Sequence, residues 1–327
     1  MFRRHLNAAL RRIPSRSALA FVAMFVTLWS APARAQMFAH RVVLPVPLDD
    51  ETSAVGLLPS FSYFADIERA WHSADDERAW DARLGGTIEL WRLSRVTSIL
   101  IGTADEMVAN SLKDGGFNPR GISWQLEIGA AHRFRYGTAQ LDFVHYCRHA
   151  IDDVDSPGPS HSTPGYVATQ RTLSINGPRF RFISPAMQAR SRISVRGALT
   201  GEVYGNGWDG RKVVNDTSTT NAINSWKDAR GSAGADLRVD VKVWRGSGVF
   251  LRASGIEVLF SGSASRPVTG LQHENYRVEM GWRASGHRGG LELYGAVEQL
   301  FDDLSSVVPH GSHVVGIGLR LAERNQF

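Results

Sequence analysis

The sequence lacks most of the features that usually announce a function. Its single cysteine, Cys147, excludes an internal disulfide and any cluster built from several thiolates. Its clearest apolar run, the 12 residues Ala18 to Trp29, falls short of the ~17–25 residues that a spanning helix needs. No later stretch approaches that length. A phosphate-cradling loop is missing too, because Gly205-Asn206-Gly207 is followed by neither a helix pattern nor the required lysine. Helical periodicity is scarce throughout the 327 residues, a length that suits two small domains or one large all-β unit. With 43% hydrophobic and 21% charged residues, the chain is too apolar for a disordered one.

The first 35 residues have no Asp, Glu or Lys but six arginines (Arg3, Arg4, Arg11, Arg12, Arg16, Arg34). Setting them aside leaves 31 basic against 32 acidic residues. The net charge of +5 therefore belongs to the leader, and it predicts no nucleic-acid partner for the body of the chain. An Arg-rich start, an apolar run and Ala33-Arg34-Ala35 before Gln36 have the order of a cleaved secretory signal peptide. The expected organisation is a signal peptide over 1–35, an N-terminal periplasmic segment over 36–52 and one β domain over 53–327.

The dominant pattern of that domain is period-2 alternation. Ala235, Leu237, Val239, Val241 and Val243 interleave with Asp236, Arg238, Asp240, Lys242 and Trp244, one face apolar and the other nearly all charged. Twelve strands are predicted, centred near residues 59, 88, 100, 127, 143, 175, 196, 238, 253, 278, 294 and 316, with Arg41–Leu44 competing for the first. Short turns are predicted near Ser94, Tyr136-Gly137, Ser184-Pro185, Gly246 and Ser285-Gly286. They alternate with long polar connections, the rhythm of an antiparallel transmembrane β-barrel with short periplasmic turns and long external loops. Trp91, Phe134, Tyr136, Trp244 and Trp282 beside short turns, and Tyr204, Phe260 and Phe301 beside long ones, suggest two aromatic girdles. A soluble secreted β-protein also alternates, but it would need neither the loop rhythm nor the girdles.

The segment His145-Tyr146-Cys147-Arg148-His149-Ala150-Ile151-Asp152-Asp153 resembles the H-x-S-S-H-L-G-D-E run of an uncharacterised bacterial family, a domain of unknown function. Leu84-Gly85-Gly86 and Arg171-Thr172-Leu173-Ser174 sit where that family has similar elements, so the resemblance spans residues 80–180. Cys147 and Arg148 replace its two serines, Ala150 and Ile151 its Leu-Gly pair, and Asp153 its glutamate. More broadly the chain resembles bacterial outer-membrane barrels. Phe327 is similar to the terminal aromatic that many of them present to the barrel assembly machinery.

On the strand Thr138–Arg148, residues Ala139, Leu141 and Phe143 share a lipid-facing side with His145 and Cys147. Imidazole beside a thiol is a means of activating the nucleophile. The arrangement is similar to that of outer-membrane acyl hydrolases acting on lipids, with His-x-Ser at a strand end. It implies Cys147 as nucleophile, His145 as general base and Asp152 or Asp153 as its orienting partner. Metal binding by His145, His149, Asp152 and Asp153 is a third reading, without a second ligand cluster to complete it. No metal and no cofactor are expected.

The opposite faces predict a lumen lined by Glu127, Asp142, Arg190, Arg192, Arg196, Asp236, Arg238, Asp240, Lys242, Arg277, Glu279, Arg283 and Glu292. Charges of both signs either line a water-filled pore that passes small solutes or pair off and plug it. The leading expectation is thus an outer-membrane β-barrel of the Gram-negative envelope, in contact with membrane lipids, acting as a passive pore or in a structural role. The alternatives are an envelope-lipid acyl hydrolase and a soluble secreted β-protein.

Overall fold

The computed structural model describes residues 55–71, 79–110, 118–150, 169–213, 220–222, 229–260, 274–286, 289–300 and 312–323. The leader, the segment 36–52 with Arg41–Leu44, and Phe301, Asp152, Asp153 and Phe327 lie outside them. The described chain is all strand and turn: β1 (Gly56–Trp71), β2 (Trp80–Ser94), β3 (Thr97–Asn110), β4 (Asn118–Phe134), β5 (Gly137–Ala150), β6 (Thr169–Ile183), β7 (Met187–Arg190), β8 (Ile193–Val203), β9 (Asn206–Val213), β10 (Thr220–Ala222), β11 (Ala229–Trp244), β12 (Ser247–Phe260), β13 (Glu274–Ser285), β14 (Gly289–Leu300) and β15 (Ser312–Glu323).

Each long strand pairs antiparallel with its sequence neighbour, and β1 pairs with β15, Phe64 opposite Ala322 and Trp71 opposite Val315. On the other side β6 pairs with β8, so the ring β1–β6, β8, β11–β15 closes as a twelve-stranded barrel. Closure matters because every backbone N–H and C=O then finds a partner without water, the condition for crossing a bilayer. These twelve are the expected strands. The short strands β7, β9 and β10 extend the ring at its rims: β7 runs beside β8, and β9 runs beside the first half of β6 with β10 beyond it.

Two local devices aim side chains. In β2 a bulge at Leu90 (Glu89 opposite Leu100, Trp91 opposite Ile99) shifts the alternation by one. It turns Trp91 outward and brings both Glu89 and Arg92 to the inside, where they pair at 2.5–2.6 Å. In β6, Gly177 stands where the strand changes partner from β8 to β9, and a Cβ there would collide with the Val203 carbonyl oxygen. Only glycine fits that junction.

The polarity is inside-out. Outward positions are large and apolar, among them Phe61, Leu84, Ile128, Leu141, Phe143, Met280, Leu293, Ile317 and Leu321, all exposed. Inward positions hold the charges: Glu68, Glu127, Arg179, Glu279 and Glu292 are each at most 1% exposed. A soluble β-sandwich or barrel would reverse this, so the apolar surface belongs in lipid.

Three expectations need correction. The turn predicted at Ser184-Pro185 is a break between β6 and β7, because proline offers no N–H to the ladder; the hairpin turns at Ser191-Arg192. Arg190 and Arg192 therefore sit exposed at that hairpin, and Lys242, whose N–H bonds the Arg192 carbonyl, is exposed beside them at the rim. None of the three joins the buried lumen charges. Tyr204 is not a girdle residue: it is buried on the inside and its hydroxyl donates to Glu202 at 3.3 Å. The short-turn girdle is present, with Trp91, Phe134, Tyr136, Trp244 and Trp282 all exposed on the outer surface.

Candidate functional site

Two places concentrate polar side chains, the lumen and one stretch of the outer wall. In the lumen, alternation puts charges from neighbouring strands at the same level, and they pair across it. Under β11–β15, β1 and β2, Arg320 bonds Asp66 at 3.0 Å, Glu279 at 2.8 Å and Glu292 at 3.0 Å. Arg277 bonds Glu68, Glu279 at 2.6 Å and Glu298 at 3.1 Å. Arg83 reaches Glu68 at 3.2 Å, and the Tyr294 hydroxyl donates to Asp66 at 2.6 Å. Tyr294 lies over the bare backbone of Gly318, where any side chain would occupy the ring's place. Arg238 links Asp240 at 2.9 Å to Glu292.

Under β3–β6 and β8 a second, smaller network joins Arg179 to Glu127 and Arg181 to Glu127 at 3.0 Å and Asp142 at 3.3 Å. Tyr146 donates to Glu202 at 2.6 Å, and Arg148 pairs with Glu106 at 3.3 Å. Every cation in these two networks is an arginine, whose planar fork satisfies two carboxylates at once. A charge removed from water this completely persists only when paired.

The expected lumen residues divide accordingly. Glu127, Asp142, Arg238, Arg277, Glu279 and Glu292 are buried in the networks. Asp236, which accepts from Arg252 at 2.6 Å, Asp240, Arg283 and Arg196 are half-buried on the same inner register. Arg179, Arg181, Arg320, Asp66, Glu68 and Arg83 complete the networks and escaped the sequence reading. Arg179-Phe180-Arg181-Phe182 alternates as clearly as Ala235–Trp244 does, so the signal is present in the sequence.

The outer-wall cluster lies on β5 and β6. Register sets its rows: Leu126, His145 and Asn176 are neighbours, then Trp124, Cys147 and Ser174, then Ile122, His149 and Thr172. His145 and Cys147 do share the outward face with the exposed Leu141 and Phe143. They are not bonded to each other. The Cys147 sulfur lies 2.9 Å from Nε2 of His149, and Nδ1 of His149 lies 3.0 Å from the Thr172 hydroxyl. The ring of His149 is further held edge-on to Trp124, centroids 5.3 Å apart. His145 instead turns Nδ1 to the amide oxygen of Asn176 at 2.7 Å.

This sets a thiol, an imidazole and a hydroxyl in series on the outer wall. His149, not His145, is the partner of Cys147, and Thr172 holds the His149 ring. Sequence reasoning missed Thr172 and Asn176 because they come from the next strand. Among the described residues no group of three or more His, Cys, Asp and Glu side chains is placed to hold a metal ion.

No family model matches the chain and no curated protein does, so the likeness of residues 80–180 to the uncharacterised family gains no support from them. Among solved structures the chain is similar to outer membrane phospholipase A from Escherichia coli, at 12% identity over 83% of this chain and 95% of that one, TM-score 0.42. It is similar to the translocator domain of the autotransporter NalP from Neisseria meningitidis, at 11% identity over 83% and 90%, TM-score 0.39. The Pseudomonas putida toluene transporter TodX is matched at 10% identity over 90% and 95%, TM-score 0.38. These likenesses assign no activity; the ring of strands and its inside-out polarity define the class, a membrane-spanning β-barrel.

Proposed function

We propose that the chain is an outer-membrane barrel with a closed lumen whose chemistry, cleavage of an acyl ester in an envelope lipid, takes place on its lipid-facing wall. The reading includes export with removal of residues 1–35 and delivery by the barrel assembly machinery. The observation that carries it is the hydrogen-bonded series Cys147–His149–Thr172 on the outside of the barrel. The Thr172 oxygen accepts from Nδ1–H of His149, which leaves Nε2 free to take the thiol proton. The sulfur attacks the acyl carbonyl, the ester C–O bond breaks, and His149 returns the proton to the departing alcohol. Water then cleaves the thioester. A lipid reaches this face by diffusing in its own leaflet, with no passage through the lumen.

The passive-pore reading loses support from the arginines and carboxylates paired across the lumen, since an ion entering would have to compete with pairs already made. The test uses the full mature chain refolded into vesicles of phosphatidylethanolamine and phosphatidylglycerol, with a heat-dependent gel shift to certify folding. Wild-type protein releases fatty acid, and Cys147→Ala and His149→Ala release it at least about 10²-fold more slowly. Planar bilayers show no steady conductance. Equal release by all three proteins ends the enzymatic reading, and steady open channels end the closed lumen.

A further inference from the structure

His145 is not needed to activate Cys147, yet it is built with equal care. It lies one row deeper on the same face, two residues from Cys147 along β5, a spacing of about 7 Å. Its neighbours in that row are Leu126 and Asn176, and the next row down holds Ile128, Phe143 and Pro178. The amide oxygen of Asn176 accepts from Nδ1–H, the tautomer in which Nε2 of His145 is the acceptor nitrogen. A second free base beside a first, sunk toward the acyl chains rather than toward water, has no role in hydrolysis.

We infer that His145, oriented by Asn176, activates the hydroxyl of a second amphiphile, and that the site transfers an acyl chain between lipids. The inference rests on the proposed Cys147–His149 chemistry and replaces water as the acceptor. In the first half, the Cys147 sulfur bonds to the acyl carbon, the donor ester C–O bond breaks, and the thiol proton leaves with the donor alcohol through His149. In the second half, the acceptor hydroxyl oxygen bonds to the same carbon, and its proton passes to Nε2 of His145. The C–S bond breaks, and that proton returns to the thiolate, restoring the resting thiol. The exposed Leu126, Ile128, Phe143 and Phe180 line the wall on which the acceptor's own chain would lie, which restricts acceptors to molecules with an apolar tail.

The experiment supplies phosphatidylcholine with a fluorescent acyl chain as donor and lysophosphatidylethanolamine as acceptor, in vesicles containing the full mature chain. Wild-type protein is expected to form labelled diacyl phosphatidylethanolamine in at least tenfold excess over labelled free fatty acid. His145→Gln and Asn176→Ala are expected to lose at least tenfold in transfer while accumulating an acyl-protein released by neutral hydroxylamine. A merely structural role for His145 would not produce that accumulation, and the gel shift certifies folding of each variant. Free fatty acid without transfer product overturns the inference and leaves the hydrolase reading standing. Neither product nor acyl-protein from folded wild type overturns both.

Discussion

The two sides of the barrel wall are built on one plan and differ at one height. On the β13–β1 side the outward rows read Trp282, Leu293, Leu319, Ile67, then Met280, Gly295, Ile317, Arg69, then Val278, Val297, Val315, Trp71. On the β4–β6 side they read Ala130, Leu141, Phe180, then Ile128, Phe143, Pro178, then Leu126, His145, Asn176. Val297 and His145 are both the ninth residue of a strand that leaves a short turn. One is an ordinary lipid-facing valine; the other is hydrogen-bonded to the next strand. The one polar side chain in the β13–β1 rows is Arg69, whose guanidinium donates to the Ala79 carbonyl at 3.1 Å and lies over the Trp80 ring. A polar group at that height carries a desolvation cost that has to be offset by a partner, and here each one has a partner on its own wall.

The largest test of this contrast lies beneath it. The network under the apolar wall is the denser, and Glu279 alone anchors Arg277 and Arg320. Glu279→Ala is expected to cost about 3–5 kcal/mol, because it removes a close carboxylate partner from two buried cations at once. Asp142→Ala, under the polar wall, should cost clearly less, since its contacts to Arg179 and Arg181 are long, 3.4 and 3.3 Å. Urea unfolding of both variants in lipid vesicles measures the difference, and equal losses would mean that the halves do not differ inside.

A second test places the same charge on each wall. Leu293→Arg puts a guanidinium among acyl chains and is expected to cost about 2–4 kcal/mol, whereas Ser174→Arg, in the row of Cys147, should cost about 0–1 kcal/mol. The same unfolding experiment reads both. Similar costs would mean that the Cys147 row lies deep in hydrocarbon and that headgroup esters do not reach it.

The smallest effect concerns the short-turn girdle, which both walls share. The indole N–H of Trp282 donates to Ser247 at 2.7 Å. Ser247→Ala removes that partner and should lower stability by about 0.5–1.5 kcal/mol without altering lipid turnover. A change in turnover would show that the girdle and the β5–β6 site are coupled.

Much of the architecture was legible because strand alternation and loop length are local properties. Val278, Met280 and Trp282 against Arg277, Glu279 and Arg283 declare a two-faced strand without reference to any neighbour. The misplacements have equally local causes in hindsight. Proline suggests a turn from sequence, but Pro185 only interrupts a ladder, and the turn at Ser191-Arg192 carries Arg190 and Arg192 out of the lumen. Leu90 hides a bulge, which no period-2 template anticipates.

Alternation and loop length alone give the class of the molecule: an even ring of amphipathic strands, apolar outward, with His145 and Cys147 on one face of one strand. Tertiary structure alone decided which groups meet. Register between strands is a matter of whole-ring closure, and a shift of two residues would preserve every face while exchanging every partner. That register gives His145 to Asn176, sets Thr172 beside His149, and draws Arg277, Glu68, Arg320 and Glu279 from three strands into one buried network. A side-chain period of two says which way a residue points; only the closed barrel says what it points at.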